Sequence, residues 1–259
     1  MRWTKIFAII GLSTIWTGVA AASERRFAYT YESAVLGPEQ IEFEPWTTAR
    51  IDRADFYRRF DERLEFEIGL TARLQTSLYL NFTALGQGPA DARTSSFEFE
   101  GISSEWKFKL TDPVAHAVGS ALYFEVRVNA LEAELEGKVI LDKRMGNWLG
   151  ALNLVAEHEW SVAHPDVEQE TVLELDAGLA WLISHNWSVG LEARNVNRLG
   201  DDGYSVIFAG PVASYAAKSW WVALAIQPQL VALRGATRSG LNLYDHERLE
   251  ARLLLGFHL

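Results

Sequence analysis

The chemically active side chains of this sequence are carboxylates and guanidinium groups, and they recur at every second residue. Arg63, Glu65 and Glu67 alternate with Leu64, Phe66 and Ile68. Glu125 and Arg127 alternate with Phe124, Val126 and Val128. Glu132, Glu134, Glu136, Lys138 and Asp142 share one phase, and so do Glu157 and Glu159. The pattern returns at Glu174 and Asp176, at Glu192 and Arg194, and at Arg248, Glu250 and Arg252. A period of two places such residues on one face of a strand. Acids outnumber bases in this set. Enclosed carboxylates without a basic partner require water, protons or bound cations. A passage lined this way favours cations, as rings of acids do in cation channels.

Other chemistries find less support. His158 and Asn195 lie on apolar phases, with Ser161 and Thr171 close to His158 in sequence. A lipid hydrolase at a membrane rim needs such groups within hydrogen-bond reach, and no serine is placed at the same depth on a neighbouring strand. No catalytic residue is assigned. There is no HxH or HExxH pair, no calcium loop and no GxSxG elbow. His246 beside Asp245 and Glu247 reads as a solvated loop. Zero cysteines exclude disulfides and thiolate metal sites. Neither a metal nor a cofactor is expected. A net charge of −10 argues against nucleic acid as a partner.

The elements that position these charges begin with a leader. Arg2 and Lys5 precede an apolar stretch from Ile6 to Val19, and Ala20, Ala21 and Ala22 follow. This is the composition of a signal peptide over 1–22. Residues 23–38 then form an N-terminal segment, in which Phe27, Tyr29 and Tyr31 alternate with Ala28 and Thr30. It is either a periplasmic strand or, as the aromatic stripe favours, a partial plug over Phe27–Leu36. From 39 to 259 no apolar run is long enough for a transmembrane helix. The alternating segments are separated by short turns near 71–73, 112–113, 144–147, 185–186 and 218–219, and by longer connections near 51–60, 86–94, 162–170, 199–203 and 234–245. That asymmetry, with about twelve strands in six hairpins, describes an antiparallel up-and-down transmembrane β-barrel.

Trp placement fits a membrane. Trp106, Trp148, Trp181, Trp187, Trp220 and Trp221 lie near short turns, and Trp160, Tyr204 and Tyr244 near the opposite ends. These read as two aromatic girdles at the headgroup level. Alternation of Leu253, Leu255, Phe257 and Leu259 up to the terminus suits recognition by barrel-assembly machinery. In 97–110 the polar phase switches from Glu98 and Glu100 to Glu105, Lys107 and Lys109. Either a bulge near 101–104 or an outer part rising above the membrane would cause this. Segment 204–215 is apolar on both faces, so its facing stays open.

The stretches Gln40-Ile41-Glu42-Phe43-Glu44-Pro45-Trp46-Thr47-Thr48-Ala49-Arg50 and Leu64-Glu65-Phe66-Glu67-Ile68-Gly69-Leu70-Thr71-Ala72-Arg73-Leu74-Gln75 resemble a family of uncharacterised, porin-like proteobacterial outer-membrane barrels. The resemblance implies location and fold, and no activity or catalytic residue. The expected partners are outer-membrane lipid, the assembly machinery during insertion, and small solutes. The reading is a narrow, acidic, passive channel in the outer membrane of a Gram-negative envelope. A non-conducting structural or adhesion barrel and a rim-sited hydrolase are the alternatives.

Overall fold

The structure is a computed structural model describing residues 24–89, 91–161 and 169–259. The leader over 1–22 and most of the connection near 162–170 lie outside the described residues. The twelve strands are β1 (Ile41–Ile51), β2 (Phe56–Gly69), β3 (Leu74–Gly88), β4 (Thr94–Thr111), β5 (Gly119–Val128), β6 (Glu132–Met145), β7 (Trp148–Ser161), β8 (Gln169–Leu182), β9 (Trp187–Arg198), β10 (Ser205–Ala216), β11 (Trp220–Arg234) and β12 (Leu249–His258). Each pairs antiparallel with its neighbours, and β1 closes on β12 through a register from Glu42↔His258 to Ile51↔Leu249. Closure leaves no edge strand with unpaired backbone groups, which is what a lipid environment demands.

The wall is inverted relative to a soluble protein. Leu78 and Leu191 are 64% and 65% exposed, whereas Glu65 and Glu192 are 1% and 0% exposed. Apolar residues cover the outside and charged ones the inside, so the period-two pattern sorts residues between lipid and lumen.

Connections 70–73, 112–118, 146–147, 183–186 and 217–219 lie at the end that also holds the start of β1. Among the described residues, the opposite end carries 52–55, 89, 91–93, 129–131, 199–204 and 235–248. The expected loop asymmetry is therefore concentrated in 235–248. The other connections at that end shrink because paired strands continue past the alternating stretches.

β4 shows how. Asn81 pairs with Gly101 and Phe82 with Phe99, so Glu100 is an extra residue in the ladder. Gly101 has φ of 110°, and a Cβ there would collide with the Val128 carbonyl, so the bulge requires glycine. β5 ends at Val128 opposite Ile102. Beyond that level β3 and β4 continue as a ribbon exposed on both faces at 94–99. Both explanations of the phase switch thus operate together.

β10 turns Val206, Phe208 and Val212 inward. Its inner face stays dry because connection 235–248 folds into the barrel mouth. Buried His246 meets Tyr204 edge-on at 4.3 Å and Phe208 at 5.8 Å. Gln229 bonds Asn242 and the Glu247 carbonyl to hold that connection in place.

Candidate functional site: the charged lumen

The N-terminal segment lies inside the barrel. Gly37 is at the short-turn end, packed near Gly69. From there the chain climbs. The Leu36 amide donates to Gln75 Oε1 at 2.9 Å. The Tyr31 amide donates to Asn153 Oδ1 at 2.6 Å, and Asn153 Nδ2 donates back to the Tyr31 carbonyl at 3.0 Å. At the apex the amides of Ala28, Tyr29 and Thr30 all donate to the Glu192 carboxylate, at 3.1, 2.9 and 2.8 Å. The chain then descends, and Arg25 pairs with Glu44 low on β1 at 3.4 Å.

Three aromatic rings seat this loop. Phe27 fills the hollow over Gly178, where any Cβ would strike its ring. The Tyr29 ring carries the guanidinium groups of Arg194 and Arg252 at 4.2 and 4.0 Å. Lys138 sits 4.2 Å from the Tyr31 ring centre. The fastening combines charge-assisted hydrogen bonds with cation–π contacts.

Above Tyr29 and Tyr31 a cavity of about 330 Å³ extends toward the long-loop end. Acids predominate on one wall, Glu134 and Glu136 of β6, Glu157 and Glu159 of β7, and Glu174 and Asp176 of β8, with Lys138 among them and Arg127 and Arg194 on the flanking strands. Guanidinium groups predominate on the opposite wall, Arg50 of β1, Arg59 and Arg63 of β2, and Arg252 of β12, with Asp61 between Arg50 and Arg59. Arg63 reaches Glu125 at 2.8 Å, and Arg127 holds Glu134 and reaches Glu159 at 3.0 Å. Lys138 meets Glu136 at 2.9 Å. Arg194 bridges Glu174 and Glu250, both at 2.7 Å. Arg50 joins Asp61, Glu247 and Glu250. Arg252 differs: its Nε donates to Thr48 Oγ1 at 2.8 Å, and no carboxylate pairs with it among the described residues.

The sequence-derived lumen residues fall as follows. Arg63, Glu65, Glu67, Glu125, Arg127, Glu132, Glu134, Glu136, Lys138, Glu174, Asp176, Glu192, Arg194, Glu250 and Arg252 are all on inward phases. Glu192 is consumed by the N-terminal segment and lines no open space. Arg248 is corrected: it precedes β12, is exposed, and pairs with Asp52 at the rim. Sequence reasoning missed Glu42, Glu44, Trp46, Arg50, Arg59, Asp61 and Glu105 as inward residues. The alternation Glu42, Glu44, Trp46, Thr48 and Arg50 carried that signal. Arg59 lay in a stretch read as loop.

Of the expected girdle, Trp106, Trp148, Trp181, Trp187 and Trp220 face outward near the short turns. The rings of Trp148 and Trp181 meet at 5.2 Å, tilted by 43°. Trp160 lies on the outward phase of β7 toward the other end, 4.4 Å from His158. Trp221 is corrected. It is fully buried in the lumen and donates to Glu42 at 2.8 Å. Its indole covers Gly256, which is directly opposite in the register. Tyr204 likewise turns inward at the mouth.

The hydrolase constellation is not assembled. His158 Nδ1 lies 2.7 Å from Thr171 Oγ1. Asn195 instead bonds Ser205 and the Val206 carbonyl, and Ser161 is on the inward phase of β7, away from His158. The reading of His246 as a solvated group is also corrected, since it is 7% exposed. Glu247 and Glu250 are close enough to share an ion with it, but Arg50, Arg53 and Arg194 already bind those carboxylates. Burial holds the His246 imidazole down to about 4, and the nearby Glu250 only partly offsets this. In the turn 112–118, Lys109 and the amides of Val114 and Ala115 hold Asp112 down to about 2.

An apolar exterior, a closed ring of twelve antiparallel strands and a charged interior define an outer-membrane type β-barrel. The chain belongs to a family of unknown function, DUF6662, whose profile matches residues 19–149 and 150–259. No curated protein matches it by sequence. Among solved structures it is similar to the COG4313 outer membrane channel from Pseudomonas putida F1 (TM-score 0.64, 8% identity, 88% of this chain and 98% of that one). It is also similar to the NanC porin (TM-score 0.54, 10% identity, 85% and 100%). The beta domain of the Bordetella autotransporter BrkA matches with TM-score 0.54, 7% identity, and coverage of 86% and 100%. At such identities the likeness is one of fold.

Proposed function

We propose that this barrel resides in the outer membrane of a Gram-negative bacterium and is a narrow passive channel for small hydrophilic solutes and cations. The N-terminal segment is its closure. The observation that carries this is the charged cavity of about 330 Å³, which opens toward the loops and is floored by Tyr29 and Tyr31. A barrel built only as a scaffold has no need of a hydrated, charge-lined chamber. Burying charge is costly even when it is paired, so such a chamber is retained where it binds or passes something. The acidic wall on β6–β8 facing the arginine wall on β1, β2 and β12 sets up a field across the lumen. That field orients dipolar solutes and lowers the cost of moving them through a constriction. The likeness to an outer membrane channel and to a porin supports the reading.

The test is conductance of the refolded protein in a planar bilayer, beside variants that loosen the closure. Glu192→Gln weakens the acceptor of three amides, and Gly178→Val removes the seat of Phe27. The parent is expected to be mostly silent, with rare discrete openings. Either variant should raise the open fraction several-fold, with mild cation selectivity. Folded variants that remain as silent as the parent would leave the non-conducting barrel as the correct description.

A further inference from the structure

Carboxylates face each other directly across the lower barrel wall. Glu42 is opposite Glu67, and Glu44 is opposite Glu65. The row continues from Glu67 to Ser77 on β3 and from Ser77 to Glu105 on β4. Like charges directly opposite on neighbouring strands destabilise a sheet, so something must neutralise them.

Part of this cluster has partners already. Arg25 takes Glu44, Trp221 donates to one Glu42 oxygen, and His258 Nδ1 lies 2.6 Å from the other. What remains is Glu65, Glu67 and Glu105, all buried, with one oxygen of each lying within 4.8 Å of the others. The Tyr79 hydroxyl holds one Glu105 oxygen, and Gln75 holds one Glu67 oxygen at 3.1 Å. Glu65 Oε1 and Glu105 Oε1 have no hydrogen-bond partner among the described residues. Ser77, 1% exposed and standing in register between Glu67 and Glu105, likewise has a hydroxyl with no partner among the described residues. The nearby Lys107 is buried, lies 5.6 Å from the Tyr31 ring centre, and forms no ion pair among the described residues.

We infer that Glu65, Glu67, Glu105 and Ser77 form a divalent-cation site, best suited to calcium, in the wall beside the N-terminal segment. The spacing fits oxygens on one ion, since calcium binds oxygen at about 2.3–2.6 Å and accepts irregular geometry. All-oxygen donors exclude a preference for zinc or copper. The ion also braces the closure. Glu67 is bonded by Gln75, and Gln75 accepts the Leu36 amide. This assignment is independent of whether the barrel conducts.

Terbium, read by emission sensitised from the adjacent Tyr79, is a direct probe for the full-length protein refolded in detergent. Saturable emission that calcium displaces is expected. Affinity should fall at least about tenfold in Glu65→Gln/Glu105→Gln and a few-fold in Ser77→Ala, and stay unchanged in Glu98→Gln on the exposed ribbon. Calcium should also raise the thermal unfolding midpoint of the parent and leave that of the double variant unmoved. No sensitised emission from the parent, or equal binding by the double variant, overturns the site. It would mean that the carboxyls share protons instead. Should the double variant not refold, Glu105→Gln and Ser77→Ala carry the same comparison.

Discussion

His246 shows how one buried side chain makes a loop sensitive to acid. It is nearly enclosed by Tyr204 and Phe208, and its imidazole is held down to about 4 against an ordinary value of 6.5. A depressed histidine stays neutral in the folded loop while the undocked loop takes up a proton. Docking of 235–248 is therefore fully present above pH 6.5 and weakens as pH falls toward 4, by up to roughly 3 kcal/mol. Proteolysis of this loop across that pH range should accelerate on acidification, and His246→Phe should flatten the profile. A flat profile in the parent would refute the burial argument. Trp221 makes a second case. Truncation to Ala exposes the hollow over Gly256 and strands Glu42, at a cost of about 3–5 kcal/mol. A much lower thermal midpoint is expected, with no change in the outward tryptophans. The sequence hid this residue because Trp221, Ala223 and Ala225 and their neighbours Trp220, Val222 and Leu224 are apolar on both phases. Gly256 in the facing strand was the available signal, since a glycine amid large residues marks a place where a ring must lie.

At the scale of elements, strands were legible wherever one face is charged and the other is greasy. β2, β5, β8 and β12 alternate over 63–68, 122–128, 173–176 and 249–253, because lipid and lumen select opposite residue types. Legibility failed where a third surface intervenes. β10 packs against connection 235–248, so its inner face carries Val206 and Phe208 and loses its contrast. The β3–β4 ribbon leaves the barrel, so neither face is selected. The bulge at Glu100–Gly101 is the joint between these regimes. Gly101→Val forces a Cβ against the Val128 carbonyl at a positive φ. It should destabilise the barrel by about 1–3 kcal/mol and shift the facing of 94–100. Site-directed spin labels on that ribbon read the shift directly. The N-terminal segment was legible only as an aromatic stripe. Its position depends on Glu192, Asn153 and Gln75, which are far away in sequence and converge only once the barrel closes.

Across the whole molecule, the two opposed walls set the expected electrical behaviour. Neutralising Glu134, Glu136 and Glu157 together should shift reversal potentials in a salt gradient toward anion preference. Arg252→Gln should shift them toward cations, since that guanidinium forms no ion pair among the described residues. Both effects should shrink at 1 M salt, where screening acts within about 3 Å. Salt-independent selectivity would point to steric sieving. The seam between β1 and β12 joins residues from opposite ends of the chain, so the ring is complete only when the last strand arrives. Such non-local closure makes folding slow.

The path of residues 24–38 has a topological consequence. The segment rises from the short-turn mouth to its apex at Glu192 and returns to the level of Glu44. It is a finger pushed into a ring, not a thread passed through one. Residues 24–38 can enter after the seam has closed and leave again without opening a rung of the wall. Closure of the barrel and insertion of this segment are thus topologically separable events on one polypeptide.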